Sequence, residues 1–520
     1  MDPNTDQRQG HNRELELKFR FDPKYSERLL KSGWFKALRK GRAQTRTLNS
    51  TYFDTPSMKL RDKGYVLRVR RQGRQYVQCV KRGTGKPFSR REWEGPVNGK
   101  APDAGLFLND PELRRRFSKK LFGALAPIFE THVKRTSHNL EIDGNTVLSL
   151  DIDIGDISAD QGSEPVNELE LELKSGRPEE LFDIGRKLVS TIPVRLMHRS
   201  KSERGYGLLE AGKGGWVKAE KLVHASDCRN EDILRASLEQ SLNHLIANEE
   251  TVYEMAHVEG VHQMRIAARR IQSALSAYTP LLPRDRQARL LGSASTITEM
   301  LSEARDWDVF VSETLAPVLA ENDDAIAGLN LLATEAGRQR KRAYTKVRRM
   351  LRSPKYARFV LDLTGWLHED DWRAECDAEM FAPPFAHAEK ALDKKRGKLL
   401  KKGKGFGRMS DAERHQLRIS VKKFRYAAEF FAPLYRQKKA DAYIAKLKRL
   451  QDALGVANDI RIGRRLMDEL TAACDPGLRS ELGFAGGLVL GWHAREISSH
   501  ENNSRQKWRK FSKSKPFWKF

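Results

Sequence analysis

Three residues near the start of the chain, Glu14, Glu16 and Lys18, are the first whose types and spacing could do chemistry. They alternate with Leu15, Leu17 and Phe19, and a period of two is that of a β-strand, whose successive side chains point to opposite faces. Two carboxylates and an ammonium therefore project together. Such a set can seat a divalent cation through hard oxygen ligands and hold an anion beside it. The alternation returns at Glu168-Leu169-Glu170-Leu171-Glu172-Leu173-Lys174. Either strand taken singly could be the solvated face of an antiparallel sheet; the repetition points to a compartment lined by both.

The elements that must position these residues follow from the surrounding pattern. Residues 23–38 carry Leu29, Leu30, Phe35 and Leu38 near helical spacing and read as a short packing helix. Strand signals follow over 44–53, 65–71, 75–82, 90–94, 129–140, 146–154 and 168–174, with Gly, Pro or Asp between several of them. With the opening strand that makes eight. Arg68 and Arg70 share a face opposite Leu67 and Val69; Arg90, Glu92 and Glu94 face away from Arg91 and Trp93; Asp151 and Asp153 lie with Ser149, opposite Leu150 and Ile152. On an open sheet such faces would be solvent-exposed and ordinary, but ionic faces this rich in Arg and Glu also suit the interior of a closed barrel around a charged ligand, with helices over the apolar outside. Burying many charges is costly unless they pair with each other, a metal or a ligand, and the mixture of signs allows that. Carboxylates for Mg²⁺ or Mn²⁺, with Arg and Lys for phosphate oxygens, make a polyphosphate-handling site.

Composition agrees. Lys and Arg outnumber Asp and Glu by 95 to 69, a formal charge of +26, so the favoured partner is anionic. The four cysteines, Cys79, Cys228, Cys376 and Cys474, form neither a CxxC pair nor a disulfide frame, which suits a reducing cytoplasm. The first dozen residues lack the apolar core of a signal peptide, and the apolar run at 482–492 is short and glycine-rich for a membrane span. The expectation is a soluble, cytoplasmic protein, with no membrane partner.

Glu14-x-Glu16-x-Lys18 is followed in order by Tyr52-Phe53-Asp54, Leu67-Arg68-Val69-Arg70, Lys81, Arg90-x-Glu92-x-Glu94, Arg135, Leu150-Asp151, the strand 168–174 and Ser200-Lys201-Ser202-Glu203-Arg204-Gly205-Tyr206. Over residues 11–212 this series resembles the CYTH superfamily of triphosphate tunnel enzymes. The resemblance implies an eight-stranded antiparallel barrel hydrolysing inorganic triphosphate with Mg²⁺ or Mn²⁺. It implies phosphate contacts from Lys18, Arg68, Arg70, Lys81, Arg135 and Lys201, with Arg90 and Lys174 as further candidates. The implied metal ligands are Glu14, Glu16, Asp151, Glu168 and Glu170, and the implied catalytic set is Glu14, Glu16, Lys18, Glu92 and Glu170. Asp153 is read as standing behind Asp151, and Arg90, Glu172 and Lys174 could equally be structural ion pairs.

Strand signals stop in the linker 213–222, and residues 223–510 read as amphipathic helices. His262-Gln263-Met264-Arg265-Ile266 is echoed by His415-Gln416-Leu417-Arg418-Ile419 at an offset of 415 − 262 = 153, which also carries Arg269-Arg270 onto Lys422-Lys423 and Asp306 onto Asp459. Two similar helical bundles are expected. His415, Arg418, Lys422 and Arg425 share one helical stripe, as do His262, Arg265 and Arg269 in the first copy. Like charges at that spacing disfavour a helix by ~0.2–0.5 kcal/mol per pair, which a bound anion would relieve. With Ala304-Arg305-Asp306-Trp307-Asp308-Val309 and Leu450-Gln451-Asp452-Ala453-Leu454-Gly455, these ridges resemble the CHAD domain. That resemblance implies a pair of four-helix bundles with a basic cleft for inorganic polyphosphate made by His262, Arg265, Arg269, Arg270, His415, Arg418, Lys422, Lys423 and Arg425, with polyphosphate granules as a place of association. Asp306 and Asp459 read as caps or bundle locks. The basic aromatic tail, with residues 511–520 beyond the helices, reads as a poorly ordered terminus of generic anion affinity.

The expected protein is an α+β chain: a triphosphatase barrel followed by an all-α polyphosphate-binding domain. A nucleoside or thiamine triphosphatase or an adenylate cyclase of the same superfamily is the enzymatic alternative. A non-catalytic polyphosphate scaffold is the other. No base-reading motif marks a specific nucleic-acid partner, and no feature specifies the oligomeric state.

Overall fold

The computed structural model describes residues 14–83, 89–105, 107, 110–197, 199–209, 215–220, 222, 227–253, 257–321 and 328–519. The side chains of Glu14, Ser89, Arg90 and Asp411, and those of 456–459 and 494–501, lie outside that set, so the expectations for Glu14, Arg90 and Asp459 do too. The chain divides into two units, 1–215 with 352–369, and 216–351 with 370–520.

The first unit is a nine-stranded antiparallel sheet. Its strands are β1 Glu14–Phe21, β2 Arg39–Asp54, β3 Tyr65–Gln72, β4 Gln75–Gly83, β5 Ser89–Val97, β6 Ala126–Glu141, β7 Val147–Ala159, β8 Gly162–Ser175 and β9 Val194–Met197. Their order is β5-β4-β3-β2-β6-β7-β8-β1-β9, and β5 also meets β1 through Glu14↔Arg90 and Leu15↔Ser89. The strand series is therefore one longer than expected, with β5 and β9 ending the sheet order. The extra strand is β9, four residues whose alternation is too short to register as a signal. Where a tight hairpin joins β3 to β4, Gly73 takes the positive φ of 63° that such turns demand.

The period-two pattern has a physical outcome on both faces. Leu17 and Phe19 of β1, Leu67 of β3, and Leu169 and Leu171 of β8 are fully buried on the apolar side. There Leu67, Val69 and Val80 pack with Phe107, Leu113, Phe117 and Leu121, partly from the short helices Pro111–Arg116 and Lys119–Phe122. The opposite faces, carrying Glu16, Glu168 and Glu170, are buried too. The stretch 23–38 forms short helical turns that bury Leu29 and Phe35.

The second unit is all helical. Its longer helices are Asn230–Ala247, Val258–Ala277, Arg284–Val309, Leu329–Leu351, Phe385–Lys402, Asp411–Phe431, Gln437–Ala453, Gly455–Ala473 and Arg479–Ser512. Val258–Ala277 packs on Asn230–Ala247, Arg284–Val309 and Asp411–Phe431. Asp411–Phe431 begins at a capping box in which Ser410 and Glu413 satisfy each other's backbone N–H.

The tail differs from expectation. Phe511, Phe517 and Trp518 are buried, Trp518 Nε1 donates to Asp393 at 3.0 Å, and Lys519 pairs with Asp393 at 2.9 Å. Interleaved cations mask an apolar set that the core of this unit takes up around Phe424 and Tyr443. No described helix is long and apolar enough to cross a membrane, and the four cysteines are unpaired.

Candidate active site and anion cleft

The ionic faces of the first unit enclose a cavity of about 470 Å³. Its wall includes Glu16 and Lys18 from β1, Arg68 and Arg70 from β3, Lys81 from β4, Glu92 from β5, Arg135 from β6, Asp153 from β7, Glu170 and Lys174 from β8, and Lys201 from the helix Lys201–Leu209. Residues up to 185 positions apart in sequence thus converge, because each strand turns its ionic side inward. Asp151 and Glu168 stand behind this wall.

One side of the cavity is a dense ion-pair network. Lys201 Nζ lies 2.6 Å from Glu168, 2.8 Å from Asp153 and 2.9 Å from Glu170. Arg135 grips Asp153 through Nε at 2.7 Å and a terminal nitrogen at 2.6 Å, reaches Asp151 at 2.6 Å, and bonds Glu170. Lys18 adds pairs to Glu16 at 2.7 Å and Glu170 at 3.4 Å. Burial works against the charge on Glu170, yet Lys18, Lys201 and Arg135 hold its carboxyl well below the usual range. Burial likewise opposes charge on Lys201, and Glu170, Glu168 and Asp153 overcome it. Asp153, Glu168 and Glu170 each offer an oxygen within 4.8 Å of the others. Three hard donors so close together fit a divalent cation such as Mg²⁺ or Mn²⁺.

Asp153, read from sequence as standing behind Asp151, is thus in the carboxylate trio, whereas Asp151 is held by Arg135 and Ser149 Oγ at 2.9 Å. Glu172 and Lys174 pair with each other at 2.5 Å and both line the cavity. Arg204, which stands in the sequence as one member of the series 200–206, is buried and holds Glu168, Glu164 at 2.8 Å and the Pro165 carbonyl at 2.6 Å. A lone arginine inside a helix carries no signal of such a role.

The other side is cation-rich. Glu92 takes Lys81 at 2.9 Å, Arg68 at 3.7 Å and the Cys79 thiol at 2.8 Å. Against the cost of burial, Lys81, that thiol and Arg68 lower its carboxyl to about 2. Burial pushes the Cys79 thiol up to about 12, so Cys79 serves as a donor and not as a thiolate. Arg68 Nε is buried without a hydrogen-bond partner among the described residues. Arg70 donates to Ser50 Oγ at 3.0 Å and has no carboxylate at ion-pair distance among the described residues. Burial and the neighbouring Arg68 lower its guanidinium to about 10.

In the helical unit, helices Val258–Ala277 and Asp411–Phe431 bring the two basic ridges to a pair of cavities of about 490 and 940 Å³, which share Arg265, Arg269, Arg418 and Lys422. His262, Arg270 and Arg425 line the first, and His415 and Lys423 the second. Burial and the cation Arg269 lower Arg265 to about 10, while burial and Arg305 lower His262. Arg305, Lys448, Lys395 and Arg461 add cations that the ridge pattern did not include. Arg425 proves to have an acidic partner one turn on, Glu429. Asp306 lies inside its helix and pairs with Arg465 at 2.9 Å, which ties two helices together.

An antiparallel sheet around a mixed-sign cavity, followed by a helical unit with a basic cleft, defines an α+β protein. Two families account for these units: residues 12–206 match the CYTH domain and residues 236–468 the CHAD domain. The chain therefore carries a CYTH domain followed by a CHAD domain. A curated inorganic triphosphatase of Haemophilus influenzae is 29% identical over 163 residues, 31% of this chain and 45% of that protein. The chain thus matches less than half the length of that relative. Among solved structures, the CHAD domain of the plant Ricinus communis is 29% identical, with a TM-score of 0.49 over 57% of this chain and 96% of the other. PptA from Streptomyces chartreusis is 15% identical, with a TM-score of 0.43 over 54% and 100%. HpAC1 of Hippeastrum, described as having a dominant triphosphatase activity, is 15% identical, with a TM-score of 0.28 over 38% and 96%.

Proposed function

We propose that the first unit hydrolyses inorganic triphosphate with a divalent cation, and that strands β1 to β8 act as a closed tunnel around it. The observation that carries this reading is the division of one cavity into a trio of close carboxylates and a cationic wall whose Arg70 has no acidic partner among the described residues. Arg68, Arg70 and Lys81 bind the phosphate chain by charge-assisted hydrogen bonds. Asp153, Glu168 and Glu170, with Glu16 beside them, hold Mg²⁺ or Mn²⁺, which supplies Lewis acidity toward phosphoryl oxygens. Lys18, Lys201 and Arg135 orient those carboxylates and keep Glu170 ionised. Water attacks the terminal phosphorus in line as the bond to the leaving diphosphate breaks, so no protein nucleophile is needed. Tyr52 is the one aromatic residue among the described residues of the wall, which favours a bare triphosphate over a nucleotide whose base needs a stacking partner.

In the same reading the helical unit is two four-helix bundles related by the 153-residue repeat, and its cleft binds inorganic polyphosphate in the cytoplasm. The start of Asp411–Phe431 falls 411 − 258 = 153 residues after that of Val258–Ala277, and Gln437–Ala453 follows Arg284–Val309 at the same offset. The test is phosphate release from triphosphate, longer polyphosphates and ATP with Mg²⁺ or Mn²⁺. Triphosphate is expected to be turned over fastest and Glu16→Ala or Arg70→Ala to abolish it; unchanged turnover in both variants would end the assignment.

A further inference from the structure

The helix Pro354–His368 lies inside the stretch matched to the CHAD domain, yet it belongs to the sheet unit. Its start is well defined, with Ser353 as N-cap accepting from Tyr356 N–H and Pro354 at the first position. It packs on the helix Pro178–Thr191 and on β9. The crossing is close: a Cβ built on Gly185 would stand 3.1 Å from Leu17 of β1 on one side and 3.4 Å from Leu361 on the other. A Cβ on Gly365 would meet Glu369, Arg186 and Phe182 at 2.8, 3.1 and 3.2 Å. Arg186 ties the crossing together, with Asp362 and Asp183 each at 2.7 Å and Glu369 at 3.5 Å. The Phe182 ring stacks on His368 at 5.9 Å.

Leu17 lies between Glu16 and Lys18, whose side chains enter the cavity from the other face of the same strand. Side chains at that crossing therefore bear on the strand that carries two of the cavity's charges, and dense packing transmits a displacement there. We propose that Pro354–His368 is a working part of the tunnel: an element supplied from within the helical sequence that braces Pro178–Thr191 and so positions β1, making Leu361, Asp362 and Gly365 positioning residues for the chemistry. The activity arm of this proposal rests on the triphosphatase reading; the structural arm does not.

The test is hydrogen exchange on the full-length protein, with phosphate release from triphosphate followed in parallel. Leu361→Ala leaves a hole at the crossing. It is expected to speed exchange in residues 14–21 and 178–191 by about tenfold or more and to lower turnover, with helices 258–277 and 411–431 unaffected. Because that variant could unfold the unit, a gentler pair completes the design. Asp362→Arg and Arg186→Asp singly speed exchange in the same peptides by about two- to fivefold, and the double variant recovers part of that change, Asp183 and Glu369 still facing position 186. Faster exchange confined to 354–368, with 14–21 and 178–191 as in the wild type, would overturn the proposal. So would a double variant no better than its parents. A wild type that leaves triphosphate intact would end the triphosphatase reading while the exchange result still decided the bracing.

Discussion

The cavity of the sheet unit and the cleft of the helical unit both gather cations, yet they treat them oppositely. In the cavity Arg135 and Lys201 are each shared among several carboxylates, which raise both groups above their ordinary range despite burial. In the cleft Arg265 is lowered to about 10 by burial first and by the neighbouring cation Arg269 second. Paired charges form a rigid template whose geometry exists before any ligand arrives; crowded like charges form a surface held under repulsion that an anion relieves. Positioning for chemistry calls for the first arrangement, and retention of a polyanion for the second. Arg70 is the cavity's exception, a cation of the second kind placed inside a site of the first.

Breaking the template should cost the most. Arg135→Ala leaves Asp151, Asp153 and Glu170 without their shared partner, and loss of one member of such a buried set costs about 3–5 kcal/mol. Thermal unfolding should show that loss, and added Mg²⁺ or Mn²⁺ should recover more of it in the variant than in the wild type. Among the described residues, Arg70→Ala removes only the hydrogen bond to Ser50. Its stability should stay within about 1 kcal/mol of the wild type, while phosphate release should fall by about 10²–10³-fold, as when a preorganised donor is lost. A denaturation curve beside an activity assay would read both halves; a large stability loss would place Arg70 with the template instead.

Arg265→Gln tests the cleft. Relief of repulsion should leave stability unchanged or slightly raised, while polyphosphate affinity, read by calorimetric titration, should fall about tenfold, the worth of one charge-assisted bond. The smallest effect concerns pH. Glu92 is lowered to about 2 by Lys81, the Cys79 thiol and Arg68 against the cost of burial. A carboxyl lower in the folded than in the unfolded chain binds fewer protons when folded. Its stabilisation is therefore present above about pH 4.5 and is lost as pH falls toward 2. Lys81→Met should move acid unfolding, followed by circular dichroism, to higher pH; no movement would mean that Lys81 does not set the Glu92 charge.

What could be read from the chain followed the range of each signal. The strand alternation needs only neighbours in sequence, so eight strands and their inward faces were legible, and four residues of β9 were too few. The two basic ridges follow helical spacing and were legible as well. The tail misled because Lys and Arg at 505–519 hide Phe511, Phe517 and Trp518, whose burial depends on aromatic partners far away in sequence. Asp151 and Asp153 are two residues apart on one face and look alike; only the reach of Arg135 and Lys201 separates them.

By itself, then, the chain determined which side chains share a face, the sign each face carries and where helices replace strands, since these depend on local geometry. Tertiary structure alone decided which charges are shared, which cation is left for a ligand, and that a helix from 354–368 joins the sheet unit. Such outcomes depend on separations of a few ångströms between residues distant in sequence, and the electrostatic consequence changes steeply over those separations.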